Sequence, residues 1–326
     1  MAFAQASASA IAVADDAERQ GYMRILILGA GGVGGYYGGR VLAAGGDVAF
    51  LVREKRAEQI ARDGLVIRSP KGDTQLNAPT LRAADRPFDV VILACKAYDL
   101  ESAMDAIAPA VGPDSLVLPL LNGLCHLDAL DGRFGRSRVL GGLAHIGVVL
   151  NEAGHIEHLN SLEFFALGAR DEIQQARVEA LHDILGRGGF APRLSSSIMQ
   201  DMWEKFAFLA TYAGITCLMR APIGVICATT DGRDLALAMF EECARVAIAA
   251  GHPLRSAFVE ESRATLGDRK SSGTSSMMRD MLRGARTEHE HIVGDMLRRG
   301  RRAGISMPLL SVAYASLQAY DHRRQG

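Results

Sequence analysis

The sequence predicts an α/β protein in which an N-terminal, doubly wound parallel sheet is followed by a second, all-helical C-terminal domain. Three observations carry this prediction. Short apolar, strand-like runs alternate with helix-like segments through the first half, as in a mostly parallel sheet covered by helices. A glycine-rich turn joins the first strand to the first helix, at Gly29-Ala30-Gly31-Gly32-Val33-Gly34. Beyond Ser195-Ser196-Ser197 no convincing strand remains, and the apolar spacing is helical.

The elements follow in order. Arg24–Leu28 and Asp47–Val52 read as the first two strands, with a helix from Gly34 to about Ala44 between them. Lys55–Asp63 reads as a helix. Leu65–Ser69 and Thr74–Asn77, split by Pro70-Lys71-Gly72, read as a hairpin insert. Val90–Ala94 and Leu116–Leu120 are apolar runs of the kind buried on both faces, separated by a helix at Asp99–Ala108. Strand candidates at Val139–Val149, His155–His158 and Phe164–Leu167 are expected to extend the same sheet, and a helix at Glu172–Arg187 with a short strand to Leu194 closes this half. The three serines are good N-cap residues. Helices are then expected at Ile198–Leu218, Arg233–Ala250, Pro253–Leu266, Ser276–Arg283, Glu288–Arg302 and Pro308–His322. The expected organisation is a tail over residues 1–22, a nucleotide-binding domain over 23–194 and a helical substrate domain over 195–326. The tail is Ala- and Ser-rich, lacks a basic start and a firm apolar stretch, and is interrupted by Asp15-Asp16. It therefore reads as a disordered segment, or as the product of a start codon placed too early, and not as a signal peptide.

The glycine spacing has a physical reading. Gly29 allows the tight turn, Gly31 lets a pyrophosphate approach the backbone, and Gly34 lets helix and strand pack closely; Ala30, Gly32 and Val33 complete the loop. Phosphates then sit at a helix N-terminus, where unpaired N–H groups and the dipole favour negative charge. The strand–turn–helix context makes this a Rossmann-type dinucleotide site. The second strand ends Leu51-Val52-Arg53, with Lys55 and Arg56 next, where an NAD site usually carries an acidic residue. A basic residue at that place favours the 2′-phosphate of NADP(H).

Two further strand ends bring polar groups to the edge where an open α/β sheet binds ligand. Lys96, in Cys95-Lys96-Ala97, can reach cofactor phosphate or ribose. Asn122, in Leu121-Asn122-Gly123, can bond substrate or the nicotinamide ribose. In the helical half, Lys205 leads into an apolar stretch; such a lysine commonly snorkels to solvent, but facing a cleft it is a cationic acid aimed at a carbonyl oxygen. Glu288, in the first turn of an expected helix, alone reads as a dipole-favoured surface residue. The run Glu288-His289-Glu290-His291 points in successive directions around a helix and lacks H-E-x-x-H spacing, so no metal site is expected.

Composition narrows the function class. With 36 Lys and Arg against 37 Asp and Glu, the balance argues against a nucleic-acid binder, and the arginines of the C-terminal half read as solvated helix faces, some able to draw an anionic substrate. No uncharged apolar stretch is long enough for a membrane span. Five cysteines with no C-x-x-C read as reduced core residues of a cytoplasmic protein.

Taken together, Gly29-x-Gly31-x-x-Gly34, Leu51-Val52-Arg53, Cys95-Lys96-Ala97, Asn122-Gly123, Trp203-x-Lys205, Ser275-Ser276-Met277-x-x-Asp280, Thr287-Glu288 and Gly304-Ile305-x-x-Pro308 resemble the ketopantoate reductase family, in order, from about Met23 to His322. The resemblance implies a Rossmann domain joined to a helical domain, with the active site in the cleft between them. It implies NADPH-dependent reduction of a 2-keto acid to a 2-hydroxy acid, as in the reduction of 2-dehydropantoate to pantoate in pantothenate biosynthesis. It implies Lys205 as general acid, Glu288 as the carboxylate that holds the reacting oxygen and substrate hydroxyl, Asn122 and Ser276 as substrate contacts, and Arg53 and Lys96 as grips on the 2′-phosphate side. By analogy it also suggests a homodimer formed through the helical domain.

One departure bears on the substrate. The family carries asparagines four and eight residues after the lysine; here those places hold Leu209 and Ala213, while Tyr212 falls within about 20° of Lys205 around an ideal helix and offers a hydroxyl instead. The Asn-Gly pair expected after Thr-Glu is Val293-Gly294. A site without partners for a substrate hydroxyl binds it poorly, which points to a bulkier or less polar 2-keto acid as the alternative substrate. Two other readings remain open: a 3-hydroxyacid or polyol dehydrogenase on a similar plan, in which Lys205 and Glu288 are dispensable, and a non-catalytic NADP-binding sensor, supported by the missing amides.

Overall fold

A computed structural model describes residues 23–325, and the tail expected over residues 1–22 lies outside them. The chain divides into two compact units. The first takes the chain up to Leu121 together with Leu127–Ile198; the second takes Asn122–His126 and the residues from Met199 on.

The strands of the first unit are β1 (Ile25–Leu28), β2 (Val48–Leu51), β3 (Leu65–Arg68), β4 (Thr74–Leu76), β5 (Thr80–Leu81), β6 (Phe88–Leu93), β7 (Val111–Pro119), β8 (Gly141–Leu150), β9 (Ile156–Gly168) and β10 (Arg193–Leu194). Five of them form an all-parallel sheet in the order β5-β2-β1-β6-β7. The chain fills one side of β1 first and then crosses to the other, so the strand order reverses between β1 and β6. Helices α1 (Gly32–Ala43), α2 (Glu54–Asp63) and α3 (Leu100–Ile107) connect the strands. Both faces are covered, which is why β1, β2 and β6 are nearly continuous apolar runs: Leu26, Phe50, Val90 and Leu93 have no exposed surface. Full burial of a side chain of this size contributes about 1.5–3 kcal/mol.

The strands expected to extend that sheet do not. β8 and β9 form a long antiparallel hairpin, and β9 pairs in parallel with β3 (Ile67 opposite Ile156) and with β10. With β4 they make a second, mixed five-stranded sheet. Val139 makes one isolated bridge to Val117 of β7, and then the chain leaves the first sheet. The physical reason lies in the partners. The β3–β4 hairpin offers its own strand edge, and β8 becomes half-exposed beyond Leu143, the pattern of a sheet with one face on a core. α4 (Cys125–Phe134) and α5 (Gln175–Gly186) complete this part of the chain.

The second unit is helical: α6 (Ile198–Met219), α7 (Ile223–Ala228), α8 (Gly232–Ala249), α9 (Ser256–Leu266), α10 (Ser276–Leu282), a π-helical turn (Glu290–Gly294), α11 (Asp295–Arg302) and α12 (Pro308–Gln325). Side chains satisfy the helix starts. Ser275 Oγ accepts from Met278 N at 3.0 Å to cap α10. The buried Glu242 carboxylate of α8 accepts from Leu309 N and Leu310 N at 3.0 and 2.9 Å, closing the first turn of α12. Such caps contribute about 1 kcal/mol. The first turns of α6 are anchored by Arg255, which bonds the buried Asp201 and, through Nε, both oxygens of the buried Glu204 at 2.8 and 3.0 Å. No helix among the described residues is long and apolar enough to cross a membrane.

Candidate active site

In the first unit the glycine turn lies at the carboxyl end of β1, beside the point where strand order reverses. Gly29 has φ +95°, a left-handed conformation that suits glycine, and its N–H donates to Leu51 O at 3.0 Å. A Cβ on Gly34 would strike the Gly29 carbonyl oxygen and come within 2.9 Å of Ala94 Cβ, so helix and strand meet here at a distance only glycine permits. A Cβ on Gly31 would meet nothing within 4 Å: the backbone there faces open space. Ala30 lies between them, and Gly32 and Val33 begin α1, whose first N–H groups have no side-chain cap. The chemistry fits a pyrophosphate.

Arg53 stands at the start of α2 with its side chain 87% exposed, 3.6 Å from Asp99. Lys96 follows β6 at the start of a short 3-10 turn and is half-buried. The first acidic residue after β2 is Glu54, in the first turn of α2, and Arg53 precedes it. Arg56 is engaged elsewhere. Its Nε donates to Ala30 O at 3.0 Å and its Nη1 to Gly154 O at 2.7 Å, tying the glycine loop to the β8–β9 turn.

The second unit gathers the other candidates. Lys205 sits on α6, half-buried, and burial pushes its ammonium down to about 8; the Glu288 carboxylate acts in the opposite direction. Glu288 is 5% exposed, between the equally buried Thr287 and His289. The surface position expected for it is therefore not found: the residue precedes the π-turn and packs inward. Its carbonyl accepts from His291 N and Ile292 N, both at 3.1 Å, and this wide turn starts the helix later than the sequence suggests.

Asn122 and Gly123 belong to this unit. Gly123 has φ +83°, and a Cβ there would lie 2.6 Å from His291 O and 3.8 Å from Phe206 Cε2. The Asn122-Gly123 turn is thus wedged between the helix that carries Lys205 and the turn that follows Glu288. Tyr212 stacks on Phe208 (centroids 5.4 Å apart, planes at 21°), and its hydroxyl lies against Gly273. Burial raises the Tyr212 phenol, with Arg279 opposing the shift. Farther along α6, Thr216 Oγ1 is 2.8 Å from the Oγ of Ser275. Ser275 is buried as a helix cap, and Ser276 beside it is exposed. Leu209 is half-buried, whereas Ala213 is 0% exposed and has no open face.

The structure thus collects Asn122, Lys205, Glu288, Tyr212 and Ser276 in one unit, and the glycine loop, Arg53 and Lys96 in the other. Sequence reasoning missed the bonds of Arg255 to Asp201 and Glu204 on the helix that carries Lys205, and the side-chain bond across Glu288. The Glu-His-Glu-His run was the available signal. Among the described residues no group of three His, Cys, Asp or Glu side chains is placed to hold a metal. Of the five cysteines, Cys217, Cys227 and Cys243 are core residues, while Cys95 and Cys125 are half-buried.

Residues 25–172 match the family model for ketopantoate reductase PanE/ApbA, and residues 197–321 match the model for its C-terminal domain. An uncharacterized oxidoreductase, YkpB, of Bacillus subtilis (strain 168) is 38% identical over 300 residues, covering 92% of this chain and 99% of the relative. The crystal structure of 2-dehydropantoate 2-reductase from Geobacter metallireducens GS-15 superposes with a TM-score of 0.83 at 29% identity, over 91% of this chain and 99% of that one. A ternary structure of D-mandelate dehydrogenase with NADH and anilino(oxo)acetate shares the fold, with a TM-score of 0.84 at 21% identity over 93% and 100% of the two chains.

Proposed function

Because the chain belongs to the ketopantoate reductase family, we propose that this oxidoreductase reduces a 2-keto acid to the 2-hydroxy acid with NADPH as hydride donor. The observation that carries the reading is the pairing of a half-buried lysine, Lys205, with a buried carboxylate, Glu288, in the unit that also holds Asn122.

The glycine turn and the first N–H groups of α1 receive the pyrophosphate, and Arg53 and Lys96 take the 2′-phosphate side. NADPH, when bound, supplies the hydride to the C2 carbon of the keto acid. The carbonyl oxygen gains charge as that bond forms. The Lys205 ammonium stabilises this charge and transfers an Nζ proton to the oxygen, giving the hydroxyl; solvent then reprotonates the amine. A donor whose pKa lies near neutrality is suited to this transfer, and burial brings Lys205 down from 10.5 to about 8. Glu288 keeps the ammonium charged and accepts from the substrate hydroxyl. Asn122, Ser276 and Tyr212 supply further hydrogen bonds to the substrate.

Leu209 and the closed Ala213 favour a second reading within this class: a keto acid bulkier or less polar than ketopantoate, set against the Phe208–Tyr212 rings. NADPH oxidation with ketopantoate and a panel of larger 2-keto acids tests both. Turnover that disappears in Lys205→Ala supports the reading. Silence across the panel with NADPH binding intact would favour a sensor. A cytoplasmic location and a homodimer formed through the helical unit go with this reading, and sedentation of the purified protein by analytical ultracentrifugation tests the second.

A further inference from the structure

We propose that Thr287 and His289 form a side-chain clasp across Glu288 that fixes its carboxylate with respect to Lys205, which makes His289 a positioning residue for the proton donor. The inference rests on the reading of Lys205 as that donor. Thr287, Glu288 and His289 are three consecutive buried polar residues, an arrangement that requires internal partners. Thr287 Oγ1 is 2.9 Å from His289 Nδ1, so a bond closes over the intervening Glu288. The other ring nitrogen, Nε2, lies 3.4 Å from Glu290 Oε1. That same oxygen accepts from Tyr314 OH at 2.6 Å, while Arg298 Nη1 reaches Glu290 Oε2 at 3.2 Å and Arg298 Nη2 reaches Glu290 O at 2.7 Å.

The partners set the tautomer. The Glu290 carboxylate beside Nε2 can only accept, which favours the tautomer with its hydrogen on Nε2 and leaves Nδ1 to accept from the Thr287 hydroxyl. Burial holds the His289 imidazole below its ordinary value and therefore neutral. Glu290 and His291 on its own turn, Arg286 before it and Asp321 on α12 are the charged and titratable groups that bear on it. On the far side, the Glu288 carbonyl is held by His291 N and Ile292 N at 3.1 Å. The peptide of Glu288 is thereby fixed from both directions, through side chains before it and backbone after it. The π-turn carries these bonds, and none of them uses the Glu288 carboxylate.

Position matters because the carboxylate acts on Lys205 through space, and at close range a displacement of an ångström changes both the Coulomb interaction and the geometry of proton transfer. The test follows the Lys205 side chain in the full chain by carbon NMR of labelled lysines, with the signal assigned through Lys205→Arg. The wild type is expected to titrate near 8. His289→Leu and Thr287→Val are expected to titrate at lower pH, in the same direction as Glu288→Gln, and to add no further shift in the Glu288→Gln background. His289→Asn and Thr287→Ser keep an acceptor or a hydroxyl for the clasp and are expected to return the midpoint toward the wild type. Turnover by the first two variants is expected to fall on the order of tenfold at the wild-type midpoint, with the KM for NADPH unchanged. An unmoved Lys205 midpoint in folded Thr287→Val or His289→Leu overturns the clasp, as does a shift that persists without Glu288. The titration needs no substrate. A wild type that turns over nothing therefore refutes the reductase reading alone, and an unmoved midpoint in an active enzyme refutes the clasp alone.

Discussion

The Glu288 carboxylate opposes the burial of the Lys205 ammonium, and burial wins: the lysine is left with a pKa of about 8, against 10.5 for the free side chain. At neutral pH it is still mostly charged, and it surrenders its proton more readily than an exposed lysine. Proton donation requires the charged form. The rate of reduction should therefore be steady below about 8 and fall as the pH rises through it. Replacing Glu288 by Gln removes the opposing charge and should move that alkaline limb to lower pH. Rates measured with saturating NADPH across neutral to alkaline pH check both outcomes.

The same burial bears on stability. The unfolded chain keeps a lysine near 10.5 while the folded chain holds it near 8, so between these values the unfolded state binds more protons and stability rises with pH. Below about 8 the full cost of burying the charge is present. Lys205→Met should abolish turnover, but alone it leaves the buried Glu288 carboxylate without its counter-charge; the double variant Lys205→Met/Glu288→Gln removes both charges and should stabilise the protein at neutral pH relative to the wild type, by about 1–2 kcal/mol. Urea melts of the wild type and the double variant at neutral pH and at a pH above the lysine range test this. The difference between them should shrink at the higher pH.

In the proposed function, cofactor preference rests on the end of β2. Arg53→Asp should weaken NADPH binding much more than NADH binding, because it replaces the group offered to the 2′-phosphate with one suited to a ribose hydroxyl. Equal losses for the two cofactors, measured by titration calorimetry, would count against the assignment. Gly34→Ala should weaken both, since the added methyl strikes the Gly29 carbonyl.

Substrate choice can be probed on α6. Leu209→Asn should raise kcat/KM for ketopantoate by restoring an amide on the half-buried face. Ala213→Asn is a poorer test, because Ala213 has no exposed surface. A larger polar side chain there should cost about 1–3 kcal/mol through overpacking, visible as a lower Tm.

What the sequence disclosed and what it hid follow from the range of the forces. The β1–glycine turn–α1 unit is legible because every rule it obeys is local: an apolar run, a fixed glycine spacing and a helix start. α6, α8 and α12 are legible through their period. The second sheet is not, because β9 finds its partner in β3, as Ile156 opposite Ile67, and no nearby residue announces such a pairing. β5 has two residues and no pattern of its own. Among the candidate site residues, Glu288 reads as a surface residue because its burial comes from packing against distant segments. Arg56 reads as a phosphate-side base alongside Arg53, and only the fold reveals that the carbonyls of Ala30 and Gly154 occupy it. Asp201 and Glu204 flank the lysine motif without declaring that Arg255 binds them both.

The most direct test of the central claim is the rate of NADPH oxidation, followed by absorbance, with a panel of 2-keto acids and with the wild type and Lys205→Ala side by side. The account predicts turnover of at least one 2-keto acid by the wild type, and a loss of about 10²- to 10⁴-fold in Lys205→Ala with NADPH affinity little changed. Turnover by Lys205→Ala at the wild-type rate would contradict it.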